Sequence, residues 1–178
     1  GAARAAAYML ARGGAESITV LNRSLEKAEE LAEYGNRIAG RMLMRALPLS
    51  QWNALCGKRY LAIQCTSVGM HPEDAAPIED KEFYQLIEEA LDVIYTPAET
   101  KFMRMVREAG GRAVNGLKML VYQGAVSYEL WNPGVQVDRE TLTLAETLIQ
   151  RRLQPEQKNL VLIGFMGAGK STISDYLS

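Results

Sequence analysis

At 178 residues, with 48% hydrophobic and 23% charged side chains, the chain is long enough for one full domain and a fragment of another. That composition excludes an intrinsically disordered protein. A net charge of −1 and a pI near 6.0 exclude a general electrostatic pull toward nucleic acid or an anionic membrane. No apolar run approaches the roughly 18 to 20 residues that span a bilayer. The sequence carries no secretory signal pattern, and Cys56 and Cys65 form neither a CxxC pair nor a zinc set, so a cytoplasmic protein is expected. It starts at Gly1 without a methionine, and these first residues are not expected to be a biological start.

Residues 2–12 (AARAAAYMLAR) read as an alanine-rich helix closed by Gly13 and Gly14. "SITVLN", 17–22, is a short β-branched strand. Ser24 then reads as the N-cap of a helix whose apolar face is Leu25, Ala28, Leu31, Ala32 and Ile38. Residues 42–47 read as an edge strand and "RYLAIQCT", 59–66, as a further strand ending in the loop "SVGMHPEDAAP". A helix near 81–90 is expected to lead to the strand "LDVIY", 91–95. In "TPAET", Thr96 is placed to cap a helix, Pro97 to occupy its first position and Glu99 to complete a capping box. That helix closes at Gly110 and Gly111, and "RAVN" is a short strand. Residues 117–131 read as a helix with Leu117, Leu120, Val121, Gly124, Ala125 and Tyr128 on one face, and Asp138 as the cap of a last helix to about 152. Strands alternating with helices predict a parallel α/β sheet.

Three stretches carry chemistry. "GAARA" offers one glycine before a small-residue helix start; it reads either as an ordinary helix or as the remnant of a glycine-rich turn facing a pyrophosphate. "VLNRS" places Asn22, Arg23 and Ser24 at a strand tip, with Lys27 one turn on and no acid at the tip. In a dinucleotide domain an acid there favours the 2′-hydroxyl of NAD, and arginine, whose planar donors grip two oxygens, favours the 2′-phosphate of NADP. The alternative is a solvated arginine. The third stretch pairs "QCTSVGM", 64–70, with "VNGLKMLVYQGA", 114–125. Met119 and Gln123 lie one helical turn apart, so both can face one pocket; by pattern alone they read as a core and a surface residue. His71, the single histidine, sits beside Pro72 in a loop and reads as a surface residue rather than an acid–base group.

"GAARA", "VLNRS", "TSVGM", "DVIYTPAET" and "NGLKMLVYQGA" occur in an order that resembles the shikimate dehydrogenases over residues 1–131. The resemblance implies a Rossmann-like domain over 1–153 that lacks its first strand, and NADP-dependent interconversion of 3-dehydroshikimate and shikimate. It assigns Gly1, Ala2, Ala3 and Arg4 to the phosphate turn, and Asn22, Arg23, Ser24 and Lys27 to NADP selection. Thr66, Ser67, Val68, Gly69, Met70, Gly116 and Met119 fall to the nicotinamide surroundings, Tyr95 and Gln123 to the substrate. Gln64 departs from the asparagine usual in the family. The family's catalytic lysine and aspartate belong to an N-terminal substrate domain with no counterpart in this sequence, so no residue here is assigned to catalysis.

After the polar linker "QPEQK", 154–158, the stretch 159–178 runs from an apolar strand into Gly164-Phe165-Met166-Gly167-Ala168-Gly169-Lys170-Ser171, which satisfies G-x-x-x-x-G-K-[ST]. Gly164, Gly167, Ala168, Gly169, Lys170, Ser171 and Thr172 are expected to cradle the phosphates of ATP, with the Ser171 hydroxyl on Mg²⁺. "LIGFMGAGKST" resembles the start of shikimate kinase, although Ser174 stands where glycine is often found. The two resemblances together imply part of a bifunctional shikimate-pathway polypeptide, in a chain expected to catalyse neither reaction alone. Two alternatives are a nucleotide-binding module without catalysis, and a strand at 159–163 that fills the vacant first position of the sheet.

Overall fold

The computed structural model describes residues 1–57, 59–71 and 73–153. The linker, the P-loop residues and the expectation that 159–163 fills a sheet position all lie outside the described residues.

α1 (Ala2–Arg12) and α2 (Leu25–Ala39) flank β1 (Ile18–Asn22), and β2 (Met44–Pro48) pairs parallel to β1 in the register Ile18↔Met44 to Asn22↔Pro48. Alanines make this half compact: Ala7 of α1 and Ala32 of α2 share a cluster with Leu43 and Met44. Of the expected face of α2, Ala28 and Ala32 are buried, joined by Gly35, while Leu25 is exposed. Asn36 fastens α2 to the sheet, its side-chain oxygen accepting from the Leu43 and Met44 N–H groups at 2.7 Å each and its nitrogen donating to the Met44 carbonyl at 3.0 Å.

A 3₁₀ turn, Leu49–Ala54, leads to the second sheet, β3 (Tyr60–Gln64), β4 (Ile87–Asp92) and β5 (Arg112–Val114), all parallel in the order β3-β4-β5. Its core is Tyr84, Phe83, Ile87, Phe102, Met103 and Val106 with their neighbours, and Leu21 of β1 packs against the same cluster. Among the described residues no ladder joins β1 to β3, and the break falls where the resemblance leaves out a first strand. α4 (Lys101–Glu108) covers β4 and β5, while α5 (Leu117–Trp131) packs with α6 (Arg139–Leu153), which Asp138 caps by accepting from the Thr141 N–H at 2.7 Å. No helix among the described residues is long and apolar enough to cross a membrane.

Three expectations are corrected. The helix near 81–90 is a single turn, α3 (Lys81–Tyr84), and the strand placed at 91–95 occupies 87–92 instead. Glu88 and Glu89 lend the stretch a helical look. In the sheet, however, they pair with Arg59 and Arg112 while Ile87 and Ala90 are buried. The helix expected from Thr96 begins at Lys101, with Thr100 as its cap and Thr96–Pro97 joined by a cis peptide. Thr100 wins because its hydroxyl serves twice, accepting from the Met103 N–H and donating into the core. Glu99 pairs with Arg107 instead of closing a capping box.

Candidate functional site

The C-terminal ends of β1 and β2 carry the first part of the site. Here the Asn22 side chain accepts from the Ser24 N–H at 3.1 Å, and the Ser24 hydroxyl accepts from the Lys27 N–H at 3.4 Å. Both polar side chains are thus spent on the turn and the N-cap of α2. Arg23 and Lys27 are exposed and form no ion pair with any described residue. Arg23 borders an open groove of about 440 Å³, walled also by Pro48, Leu49, Ser50 and Trp52, a volume within the range of small-ligand clefts. The segment Pro77 to Asp80 lines it as well. Glu79 holds Lys101 at 2.7 Å, and Asp80 caps α3 by accepting from the Glu82 N–H at 2.9 Å. A lone guanidinium at a helix N-terminus beside such a groove fits a phosphate of a nucleotide.

The second part gathers at the ends of β3 and β4. Gln64, the last residue of β3, turns its side chain along the following loop, its amide donating to the Val68 carbonyl at 2.9 Å and its oxygen accepting from the Thr66 N–H. The loop Thr66–Met70 then passes through Gly69 at φ +106, a conformation side chains rarely adopt. Asp74 holds the far end of the loop by accepting from the Gly69 and His71 N–H groups at 2.9 and 3.1 Å, which keeps its carboxyl below the usual carboxylate range. His71 itself is exposed, in line with a surface residue.

β4 ends at Asp92, fully buried. Val93 and Ile94 continue to Tyr95, which is half-buried. Gly116 lies on this turn: its N–H donates to the Ile94 carbonyl at 3.0 Å, and a Cβ there would come within 2.6 Å of the Val93 carbonyl carbon. Glycine is required by this close approach rather than by its dihedrals, which are ordinary. Three of the five motifs therefore converge on one strand end. Met119 and Gln123 follow on α5; Met119 is 43% exposed, so it is not the core residue its pattern suggests. Gln123 is exposed and donates to the Leu120 carbonyl of its own helix.

Gly1, Ala2, Ala3 and Arg4 stand apart from this convergence. Gly1 caps α1 with no side-chain bond, and the exposed Arg4 guanidinium lies over the Tyr34 ring of α2, 5.1 Å from its centroid. Gly164, Gly167, Ala168, Gly169, Lys170, Ser171 and Thr172 lie outside the described residues.

Sequence reasoning missed the groove wall at Pro48–Trp52 and the buried pair Asp92 and Thr100. The first was findable, because open parallel sheets bind ligands beyond their strand ends and Pro48 ends β2. The second lies in a stretch whose capping pattern points to Thr96 and conceals the pair.

Cys65 lies between Gln64 and this loop. Burial, with the Asp92 charge adding to it, pushes its thiol up to about 11. At about pH 8 only roughly one Cys65 in a thousand is thiolate. A disulfide reagent is therefore expected to label the exposed Cys56 in the native protein and Cys65 only on unfolding, read by mass spectrometry of the labelled peptides.

This is a Rossmann-like α/β domain, with its groove and its convergent loops at the C-terminal ends of parallel strands. Comparison narrows the class: residues 116–142 match the shikimate 5′-dehydrogenase C-terminal domain. The NADP(+) shikimate dehydrogenase of Carboxydothermus hydrogenoformans is 37% identical over 149 residues, covering 82% of this chain and 52% of that protein. The solved shikimate 5-dehydrogenase of Thermus thermophilus, in complex with shikimate, matches with a TM-score of 0.61 at 31% identity, over 84% of this chain and 49% of that one. A 5-ketofructose reductase from a Gluconobacter species matches with a TM-score of 0.64 at 32% identity, over 84% and 53%. The chain spans about half the length of the curated relatives it matches.

Proposed function

We propose that this chain is the NADP-binding part of an enzyme that reduces 3-dehydroshikimate to shikimate. The observation that carries this conclusion is the convergence of "TSVGM", "DVIYTPAET" and "NGLKM" on the end of β4, in a chain whose relatives are shikimate dehydrogenases. Arg23 and Lys27 would hold the 2′-phosphate, with Asn22 and Ser24 shaping the turn beneath them. Pro48, Leu49 and Ser50 would wall the adenosine, and the α1 start, Gly1 to Arg4, would face the pyrophosphate. Thr66, Ser67, Val68, Gly69 and Met70, with Gly116 and Met119, would surround the nicotinamide, and Tyr95 and Gln123 would line the substrate. NADPH supplies the hydride. The residues of this chain bind and orient, and no proton-transferring pair is assigned among them.

Residues 159–178 would add the strand and P-loop of a shikimate kinase. Lys170 and the glycines there would hold the phosphates of ATP, and Ser171 would meet Mg²⁺.

The test is to express the full-length protein and assay NADP-dependent oxidation of shikimate, then ATP-dependent phosphorylation of shikimate, with quinate and 5-ketofructose as alternative substrates for the first. Both activities on one polypeptide are the expected result. Oxidation alone would remove the kinase assignment. NADP binding with no turnover of any substrate would leave a nucleotide-binding module without catalysis.

A further inference from the structure

Among the described residues three polar side chains are buried, Gln64, Asp92 and Thr100, and they form one hydrogen-bonded chain. Asp92 sits at the centre. Its Oδ2 accepts from the Thr100 hydroxyl at 2.7 Å, and its Oδ1 accepts from the Ile94 N–H at 3.0 Å and more distantly from the Gln64 amide at 3.5 Å. Gln64 in turn holds Thr66 and Val68. The two loops also touch directly, since a Cβ on Gly69 would meet Thr100 at 3.2 Å. Well-packed apolar residues could fill such a volume at similar stability; a connected polar network instead fixes one arrangement, because any shift leaves a buried group unpaired.

We propose that Asp92 is a positioning residue that couples the loop Thr66–Met70 to the loop Val93–Thr100, so that the nicotinamide side and the substrate side of the site move as one unit. This rests on the functional reading above for the names of the two sides. The coupling itself rests on the hydrogen bonds. Burial holds the Asp92 carboxyl above its usual range, against the bonds from Thr100 and Ile94. The group therefore stays only where those donors stay with it.

The experiment compares Asp92→Asn, Gln64→Met, Thr100→Val and Thr100→Ser in the full-length protein. Calorimetry measures binding of NADP⁺ and of 2′,5′-ADP, a probe that carries the adenosine end alone, and hydrogen exchange follows peptides 65–71 and 93–100. Asp92→Asn and Thr100→Val are expected to weaken NADP⁺ about fivefold or more, the factor implied by one hydrogen bond, while 2′,5′-ADP stays within about twofold. Exchange rises in both peptides together, and Thr100→Ser, which keeps the hydroxyl, restores both readouts. Gln64→Met leaves Asp92 bound to Thr100 and Ile94, so it tests the coupling even if Asp92→Asn does not fold: exchange is expected to rise in 93–100 as well as in 65–71. Exchange confined to one loop, or NADP⁺ and 2′,5′-ADP weakened alike, overturns the proposal. A wild-type protein that binds neither ligand overturns the functional reading instead, and the exchange data then decide the coupling by themselves.

Discussion

Replacing Gly116 by alanine is expected to destabilise the protein by about 1–3 kcal/mol, the range for forcing extra atoms into a packed site. The new Cβ would lie inside the contact surface of the Val93 carbonyl oxygen and 2.6 Å from its carbon. Both are backbone atoms, so no side-chain rotation relieves the clash. Relief would push α5 away from β4 and break the bond from the Gly116 N–H to the Ile94 carbonyl. Because Met119 and Gln123 ride on that helix, cofactor affinity is expected to fall with stability. Gly124 supplies the control. It lies in the same helix with nothing within 4 Å of an added Cβ, so Gly124→Ala is expected to stabilise by up to about 1 kcal/mol, through helix propensity and a less free unfolded chain. Urea unfolding of the two variants against the parent protein decides the matter; equal effects at both positions would refute the close-approach argument.

Arg23→Ala is expected to weaken NADP⁺ binding roughly 10- to 100-fold while leaving NAD⁺ within about threefold, since charge-assisted bonds to a phosphate are each strong and NAD⁺ lacks that phosphate. Stability should stay within about 0.5 kcal/mol, because Arg23 is exposed and has no charged partner among the described residues. The NADP⁺ affinity of the parent should also fall with added salt, and that of Arg23→Ala less so. Trp52 shares the groove with Arg23, which makes tryptophan fluorescence a direct titration signal. An unchanged ratio of NADP⁺ to NAD⁺ affinity would mean that Arg23 is only a solvated arginine at a strand end.

Elements governed by local chemistry are legible in the sequence. Ser24 caps α2, Asp138 caps α6, and α5 spans 117–131 as its periodicity predicts. The stretch 81–92 is not legible in this way. Two adjacent glutamates suit a helix by propensity, and only the pairing of their backbone between β3 and β5 makes the stretch the middle strand of a sheet. The local pattern favours Thr96 as the cap, with Pro97 and Glu99 behind it, yet Thr100 caps the helix. Asp92 lies only a few residues before both, yet the fold turns it toward Thr100 alone.

The candidate site divides along the same line. Residue types and their order can be read from the chain directly: a cation at the tip of β1, a small-residue loop after β3, a glycine at the start of α5. Each of these answers a local need, namely a turn, a cap or a charge, and local needs leave local patterns. Folding in three dimensions settles the rest. It commits Asn22 and Ser24 to the turn and leaves Arg23 free of them, brings Pro48 to Trp52 into the groove wall, and locks two loops together through Gln64, Asp92 and Thr100. Those roles depend on which groups lose water at the same place, and burial brings together residues that stand far apart along the chain.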